Sequence, residues 1–382
     1  MAHFNELKIH TPGPGNIPLP VRLASISDIL HHRDERFKNI YSELQSNLQY
    51  IFQTQDPILL MPSSGTGMME SVVANLVSQN DTALIIDSGK YSHRWIDILK
   101  KHNVKNISIL TCPSGESIPL INIETAMRNV CPDFVFVSHC ETSTGLVVDV
   151  KQLSEKCKEA KAKLVVDAMA TIGVQPLLKD EWKIDVVISA SHKGFMNPPG
   201  LAFICASREL IEKSTEISQT VYFDYYSHLI NGDNQTTPNS TATSLILGVH
   251  AATNAMVAEG IEPIWERHKF CANLCRKGIQ AMGLELYCRE DEMGNAVTVA
   301  KLPDSLCAQD IINNLKERFH IMIANGQDHL KGKVIRIGHI GAVTPEDILH
   351  LLTALEITLC LLQSRKYEAI GLIAAWNEYI KN

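Results

Sequence analysis

Short apolar runs of strand length recur along this chain, and helical patterns separate them. The clearest cover 83–87, 107–111, 134–138, 163–167, 186–190 and 201–205, and Leu59-Leu60-Met61 begins another. Runs of this kind bury both faces of a strand, and a chain that alternates them with helices such as 154–162 folds as a mostly parallel sheet under helices, an α/β architecture. From Ile261 onward the pattern changes to a long helix, a strand near 296–300, a helix after Ala308 and a strand around 334–337. That predicts a smaller C-terminal α+β unit. At 382 residues the chain exceeds one typical core, and its 45% hydrophobic content is enough to fill two. Residues 225–243, rich in Asn, Thr, Ser and Gly, read as a long loop.

Lys193 stands between two of these apolar runs, in Ile188-Ser189-Ala190-Ser191-His192-Lys193-Gly194-Phe195-Met196-Asn197-Pro198-Pro199-Gly200. An amine that attacks or carries a carbonyl must lose its proton near neutral pH, and partial burial brings a lysine toward that range. Lys193 is therefore a candidate Schiff-base lysine, against the commoner state of an ordinary loop lysine. Upstream, Lys163-Leu164-Val165-Val166-Asp167 is an apolar strand ending in a carboxylate. Burying Asp167 is costly without a cation or donors, and a protonated pyridine nitrogen is one such partner. Capping the next helix is the other reading.

The segment Leu59-Leu60-Met61-Pro62-Ser63-Ser64-Gly65-Thr66-Gly67 reads as strand, turn and helix start. Free N–H groups and the helix dipole favour a phosphate there, and the Ser64 and Thr66 hydroxyls add donors; the lysine of a nucleotide-binding P-loop is missing. Arg336 lies in the alternating strand Val-Ile-Arg-Ile-Gly. It needs an anion such as a substrate carboxylate if buried, and none if it faces solvent.

The net charge of −7 argues against nucleic acid or anionic membrane as a partner. Ten cysteines without a C-x-x-C pair point to reduced thiols, with neither a disulfide frame nor a metal site. The start, Met1-Ala2-His3-Phe4-Asn5, carries no leader pattern, no run reaches the roughly 18 apolar residues of a membrane span, and the C-terminal tripeptide is not of the peroxisomal type. The expected compartment is the cytoplasm.

Several motifs run collinearly along the chain: Thr11-Pro12-Gly13-Pro14-Gly15-Asn16-Ile17-Pro18, His32-Arg33-Asp34-Glu35-Arg36-Phe37, Ser64-Gly65-Thr66-Gly67, Gly89-Lys90-Tyr91-Ser92-His93-Arg94-Trp95, His139-Cys140-Glu141-Thr142-Ser143-Thr144-Gly145 and Val334-Ile335-Arg336-Ile337-Gly338-His339-Ile340-Gly341. With Asp167 and Lys193 they resemble the class V family of pyridoxal-phosphate-dependent aminotransferases, which contains alanine–glyoxylate, serine–pyruvate and aminoethylphosphonate–pyruvate enzymes. The resemblance covers nearly the whole chain. It implies fold type I, with a mostly parallel seven-stranded sheet, an N-terminal arm (1–22), a large cofactor-binding α/β domain (23–258) and a small C-terminal α+β domain (259–382).

The resemblance also implies roles for individual residues. Lys193 would link the cofactor and carry the substrate's proton, with Asp167 at the ring nitrogen. Ser64, Gly65, Thr66 and His192 would hold the phosphate, Tyr91 and Met169 the two ring faces, and Thr142 the ring oxygen. Asn239, Ser240 and Thr241 would reach the phosphate of a second subunit in a homodimer. Arg336, with Gly15 and Asn16, would bind the substrate. The expected activity is ping-pong transfer of an amino group from a small alanine- or serine-like donor to glyoxylate or pyruvate.

Three alternatives stand beside it. One is an aminoethylphosphonate–pyruvate enzyme. Another is a cysteine desulfurase-like lyase, to which histidine at 192 also belongs but which needs a mobile-loop cysteine. The third is a cofactor-binding regulatory protein or a pseudoenzyme, although Lys193, Asp167 and Arg336 are all present.

Overall fold

The computed structural model describes residues 6–381, so the reading of Met1 to Asn5 lies outside it. Seven strands form the main sheet: β2 (Ile58–Ser63), β3 (Thr82–Asp87), β4 (Asn106–Thr111), β5 (Phe134–Ser138), β8 (Lys163–Asp167), β9 (Val186–Ala190) and β10 (Gly200–Ala206). Two short strands, β6 (Cys140–Glu141) and β7 (Leu146–Val147), pair with each other beyond β5. The sheet order is β2-β10-β9-β8-β5-β3-β4. β10 is antiparallel to both neighbours and every other pairing is parallel.

Period-two geometry explains why these runs are apolar throughout. Alternate residues serve two cores. Leu84, Ile86, Val135, Val137, Leu164 and Val166 pack under α2 (Glu35–Phe52), α5 (Leu120–Val130), α6 (Val150–Ala160) and α9 (Thr243–Glu259), with the arm helix α1 (Leu19–Ser25) against α9. Ala83, Ile85, Phe134, Phe136, Val165 and Ile188 pack on the other face under α3 (Gly65–Leu76), α4 (Lys90–Lys101), α7 (Arg208–Lys213) and α8 (Tyr225–Asp233).

The chain leaves β3 for β4 on one side, through α4, and returns through α5 to β5 on the other side of β3. Loops diverge at such a switch point and open a crevice outside the strands' C-terminal ends.

A second sheet, in the order β1-β12-β13-β11, joins β11 (Val297–Lys301), β12 (Ile321–Asn325) and β13 (Val334–Gly338) to the N-terminal strand β1 (Lys8–His10), parallel to β12. It packs on α10 (Ile261–Ala281), α11 (Ala308–Phe319), α12 (Pro345–Leu362) and α13 (Ile370–Tyr379) around a third core. Among the described residues no single helix is long and apolar enough to cross a membrane.

The expected loop 225–243 is corrected at its start. Asp224 caps α8 by accepting from Ser227 N–H at 3.1 Å, and Tyr225 and Leu229 anchor the helix in the core, so two apolar residues and a cap outweigh the Asn/Gly-rich composition.

Candidate active site

Loops at the C-terminal edge of the main sheet enclose a cavity of about 510 Å³. Lys193 reaches it from a locked turn after β9, where Ser191 Oγ donates to Pro198 O at 2.7 Å and Asn197 Nδ2 to Leu245 O at 3.1 Å. Lys193 Nζ donates to Pro12 O at 2.6 Å, a neutral partner on the N-terminal arm. Burial lowers its pKa, opposed by Tyr91 and Asp167.

Asp167 ends β8 and is 6% exposed. Its Oδ1 accepts from Met169 N–H at 3.0 Å and its Oδ2 from Ser138 Oγ at 3.4 Å. Burial lifts the carboxyl to about 6. No cation among the described residues forms an ion pair with it, so a positively charged donor placed in the cavity would complete it.

At the end of β2, Ser64 caps α3, its Oγ accepting from Gly67 N–H at 3.2 Å. Ser64, Gly65, Thr66 and Arg94 line one part of the cavity, where Arg94 Nη1 donates to Thr66 Oγ1 at 2.7 Å. A helix N-terminus beside a guanidinium is a cradle for a phosphate. His192 lines the cavity as well, and burial, then Lys193, brings its pKa down to about 4, so the ring is neutral near pH 7.

Tyr91 is fixed from below by Glu141, whose Oε2 accepts from Tyr91 N–H at 2.8 Å and Ser92 N–H at 3.3 Å, and whose Oε1 accepts from Ser143 N–H at 3.0 Å. Burial raises the Glu141 carboxyl, against these hydrogen bonds. Arg94 lies 5.3 Å from the Tyr91 ring centroid. Burial pushes the Tyr91 phenol up, but Lys193, Gln327, Arg336 and Thr142 together bring it below its ordinary value. Met169 borders Gly65, where a Cβ would lie 3.0 Å from its Sδ.

Arg336 is 7% exposed on β13. Nε donates to Asn325 O at 2.7 Å, and Nη1 to Thr142 O at 3.2 Å and Gln327 Oε1 at 3.4 Å. Its solvent-facing alternative is thus excluded.

Of the residues singled out in the sequence, Ser64, Gly65, Thr66, Tyr91, Thr142, Asp167, Met169, His192 and Lys193 line one cavity. Others lie apart from it. Gly15 N–H donates to His192 O at 3.3 Å, and the Asn16 carboxamide is held by the Ile9 backbone at 2.9 and 3.1 Å; it is Gly13 that lines the cavity. Asn239, Ser240 and Thr241 are not part of this chain's lining, but Thr241 Oγ1 is shielded without a hydrogen-bond partner among the described residues.

Gly13, Arg94, Glu141 and Gln327 were not singled out. The first three sit inside the quoted motifs, whereas Gln327 lies in no motif. Cys140 also lines the cavity, but burial pushes its thiol up to about 12, far from the thiolate a desulfurase needs. Among the described residues, no group of three or more His, Cys, Asp or Glu is placed to hold a metal ion.

A buried lysine whose pKa burial lowers, a buried carboxylate with no ion pair among the described residues, a phosphate cradle and an aromatic face are what pyridoxal phosphate requires, so the lining fits that group. The family model for aminotransferase class-V matches residues 23–351. The chain is 33% identical over 353 residues to the soluble hydrogenase small subunit of Synechococcus sp. (strain PCC 6716), covering 91% of each. It is 30% identical over 380 residues to the L-aspartate–glyoxylate aminotransferase of Paracoccus denitrificans, covering 97% of this chain and 96% of that one. The crystal structure of ureidoglycine–glyoxylate aminotransferase from Bacillus subtilis superposes with a TM-score of 0.92 at 27% identity, covering 100% of both chains. The chain belongs to the class-V aminotransferases, as a pyridoxal-phosphate-dependent aminotransferase of fold type I.

Proposed function

We propose that this protein transfers the amino group of a small alanine- or serine-like donor to glyoxylate or pyruvate in a ping-pong sequence, within a cytoplasmic homodimer. One observation carries the substrate class: Arg336 is a buried guanidinium beside the lysine cavity, held by neutral groups and paired with no carboxylate among the described residues. Carbonyls aim it but leave its charge uncompensated, which suits the single carboxylate of an amino or keto acid. A phosphonate would call for more cations than this one. Glyoxylate appears in the names of the Paracoccus and Bacillus relatives.

Pyridoxal phosphate, when bound, supplies the electron sink that makes the donor's Cα–H acidic. In this proposal Lys193 Nζ holds the cofactor and then takes the proton from Cα, which requires the neutral amine that burial favours. Asp167 receives the ring N–H. Ser64, Gly65, Thr66 and His192 bind the phosphate, Tyr91 and Met169 hold the ring, and Thr142 its oxygen. Gly15 and Asn16 act indirectly, keeping the arm against His192 and β1.

Asn239, Ser240 and Thr241 would serve the partner's phosphate. Leu19, Leu23, Ile26 and Ile29, each more than half exposed around α1, offer an apolar face for that partner. In this reading the chain divides into an arm 1–22, a large domain 23–258 and a small domain 259–382; the third core lies within the last, while Ile261, Ile264 and Trp265 still pack with the main sheet. Cytoplasm accords with ten free cysteines.

The test mixes the cofactor-loaded protein with one amino donor and no acceptor. A ping-pong enzyme converts the cofactor stoichiometrically to its amine form and releases the keto acid; adding glyoxylate or pyruvate then restores the starting spectrum. A protein that releases keto acid only when donor and acceptor are both present contradicts the sequence of steps.

A further inference from the structure

Gln327 lies in the turn between β12 and β13, and its carboxamide bridges two groups of the site. Its Oε1 accepts from Arg336 Nη1 at 3.4 Å, and its Nε2 donates to Tyr91 Oη at 3.5 Å. Both bonds are long, hence weak, whereas the backbone carbonyl of Asn325 takes Arg336 Nε at 2.7 Å. Besides two backbone carbonyls and the Tyr91 hydroxyl, the acceptor on this guanidinium is thus a neutral amide, easily displaced. A mere strut between the two sheets would be redundant here, because the adjacent Asp328 already pairs with Lys90 at 2.9 Å on the exposed rim.

We infer that Gln327 is a specificity-determining positioning residue: its amide oxygen stands in for the donor carboxylate on Arg336, and the amide turns over when that carboxylate arrives. A half-turn about the last side-chain bond exchanges Oε1 and Nε2. The NH2 then donates to the incoming carboxylate, and the Tyr91 hydroxyl, an acceptor before, donates to Oε1. Every hydrogen bond lost is replaced, so a monocarboxylate gains a third donor beyond the guanidinium without an unpaired group being left. A ligand without a carboxylate would leave the amide where it is. The Tyr91 hydroxyl is what makes the exchange possible, since a ring without one could neither accept nor donate.

The inference rests on Arg336 as the carboxylate site, and the experiment separates the two. Cofactor-loaded wild type, Gln327→Ala, Gln327→Glu and Arg336→Gln are titrated with 2-methylalanine, which has a carboxylate but no Cα–H to lose, and binding is read from the cofactor absorbance. KM and kcat for alanine and the unfolding midpoint are measured alongside. Loss of one replaceable donor should raise Kd and KM about fivefold in Gln327→Ala with kcat and midpoint unchanged. Gln327→Glu is the same size but places a carboxylate on Arg336, so it should raise Kd at least about tenfold further. Equal effects of Ala and Glu, or a fall in midpoint that matches the rise in Kd, would make Gln327 a strut and overturn the inference. Unchanged Kd in both, with Arg336→Gln impaired, overturns it while sparing the carboxylate site. An unimpaired Arg336→Gln, or a wild type that does not bind the probe, overturns both.

Discussion

Gly13 and Lys193 are fitted to each other: a Cβ on Gly13 would stand 2.5 Å from both Cε and Nζ of the lysine. Gly13 has φ +131°, a conformation that other residues enter only under strain, and the carbonyl preceding it is the one that receives Lys193 Nζ. The N-terminal arm therefore shapes the space in which the lysine moves.

Gly13→Ala should leave the two sheets folded yet displace the amine. We expect cofactor affinity to fall more than about tenfold, from backbone strain of roughly 1–3 kcal/mol added to steric overlap. Equilibrium titration with pyridoxal phosphate measures it, with circular dichroism as the control for folding. Wild-type affinity would mean that the arm gives way freely.

The raised Asp167 pKa has a stability consequence in the cofactor-free protein. Its carboxyl titrates near 6 when folded, against 3.8 for a free aspartate, so folding favours the protonated form. The stabilisation is complete below the unfolded pKa and is lost as pH rises through the folded one, by about 3 kcal/mol in all and about 2 kcal/mol of it between pH 4 and 6. His139, His268 and His339, pushed by burial to about 4, 3 and 3, act in the opposite direction over an overlapping range. The Asp167→Asn variant isolates the carboxylate. Its unfolding free energy minus that of wild type should grow from pH 4 to 6, and a pH-independent difference would show that Asp167 is already ionised.

Glu141 organises the start of α4 through the Tyr91, Ser92 and Ser143 N–H groups. Replacing it with Gln turns one acceptor into an NH2 facing those donors, with a cost of roughly 1–3 kcal/mol. Urea unfolding of the cofactor-free protein should register this loss, together with weaker cofactor binding as Tyr91 shifts. Equal stability would mean that the folded carboxyl is protonated and already acts as a donor.

The strands were legible because strands buried on both faces must be apolar throughout, and 134–138, 163–167 and 186–190 agree to the residue. β1 and β12 were not, being short elements whose pairing closes over more than 300 residues of chain, Lys8 against Ile321. Within the site, Lys193 and Asp167 stood out as charges ending or following apolar runs. Arg94, Glu141 and Gln327 did not, because each acts through a partner distant in sequence, Thr66 for Arg94 and Tyr91 for Glu141 and Gln327. Thr241 resembles them, with its hydroxyl enclosed but unpaired among the described residues of a single chain.

If that hydroxyl serves a neighbouring subunit, two inactive proteins should complement each other. Lys193→Ala chains mixed with chains altered at Asn239, Ser240 and Thr241 would form dimers with one intact site, and two-fold symmetry sets the yield at about half of wild-type activity per mixed dimer. No recovery after verified subunit exchange would confine each site to one chain.

The central claim is that Lys193 carries the cofactor and moves the substrate proton. Its most direct test is borohydride reduction of the cofactor-loaded Lys193→Ala variant beside wild type, followed by peptide mass analysis and a transamination assay. The account predicts a reduced cofactor adduct on Lys193 in wild type, none on any lysine of the variant, loss of transamination, and an unchanged circular dichroism spectrum. A cofactor adduct on another lysine of the variant, with turnover retained, would contradict it.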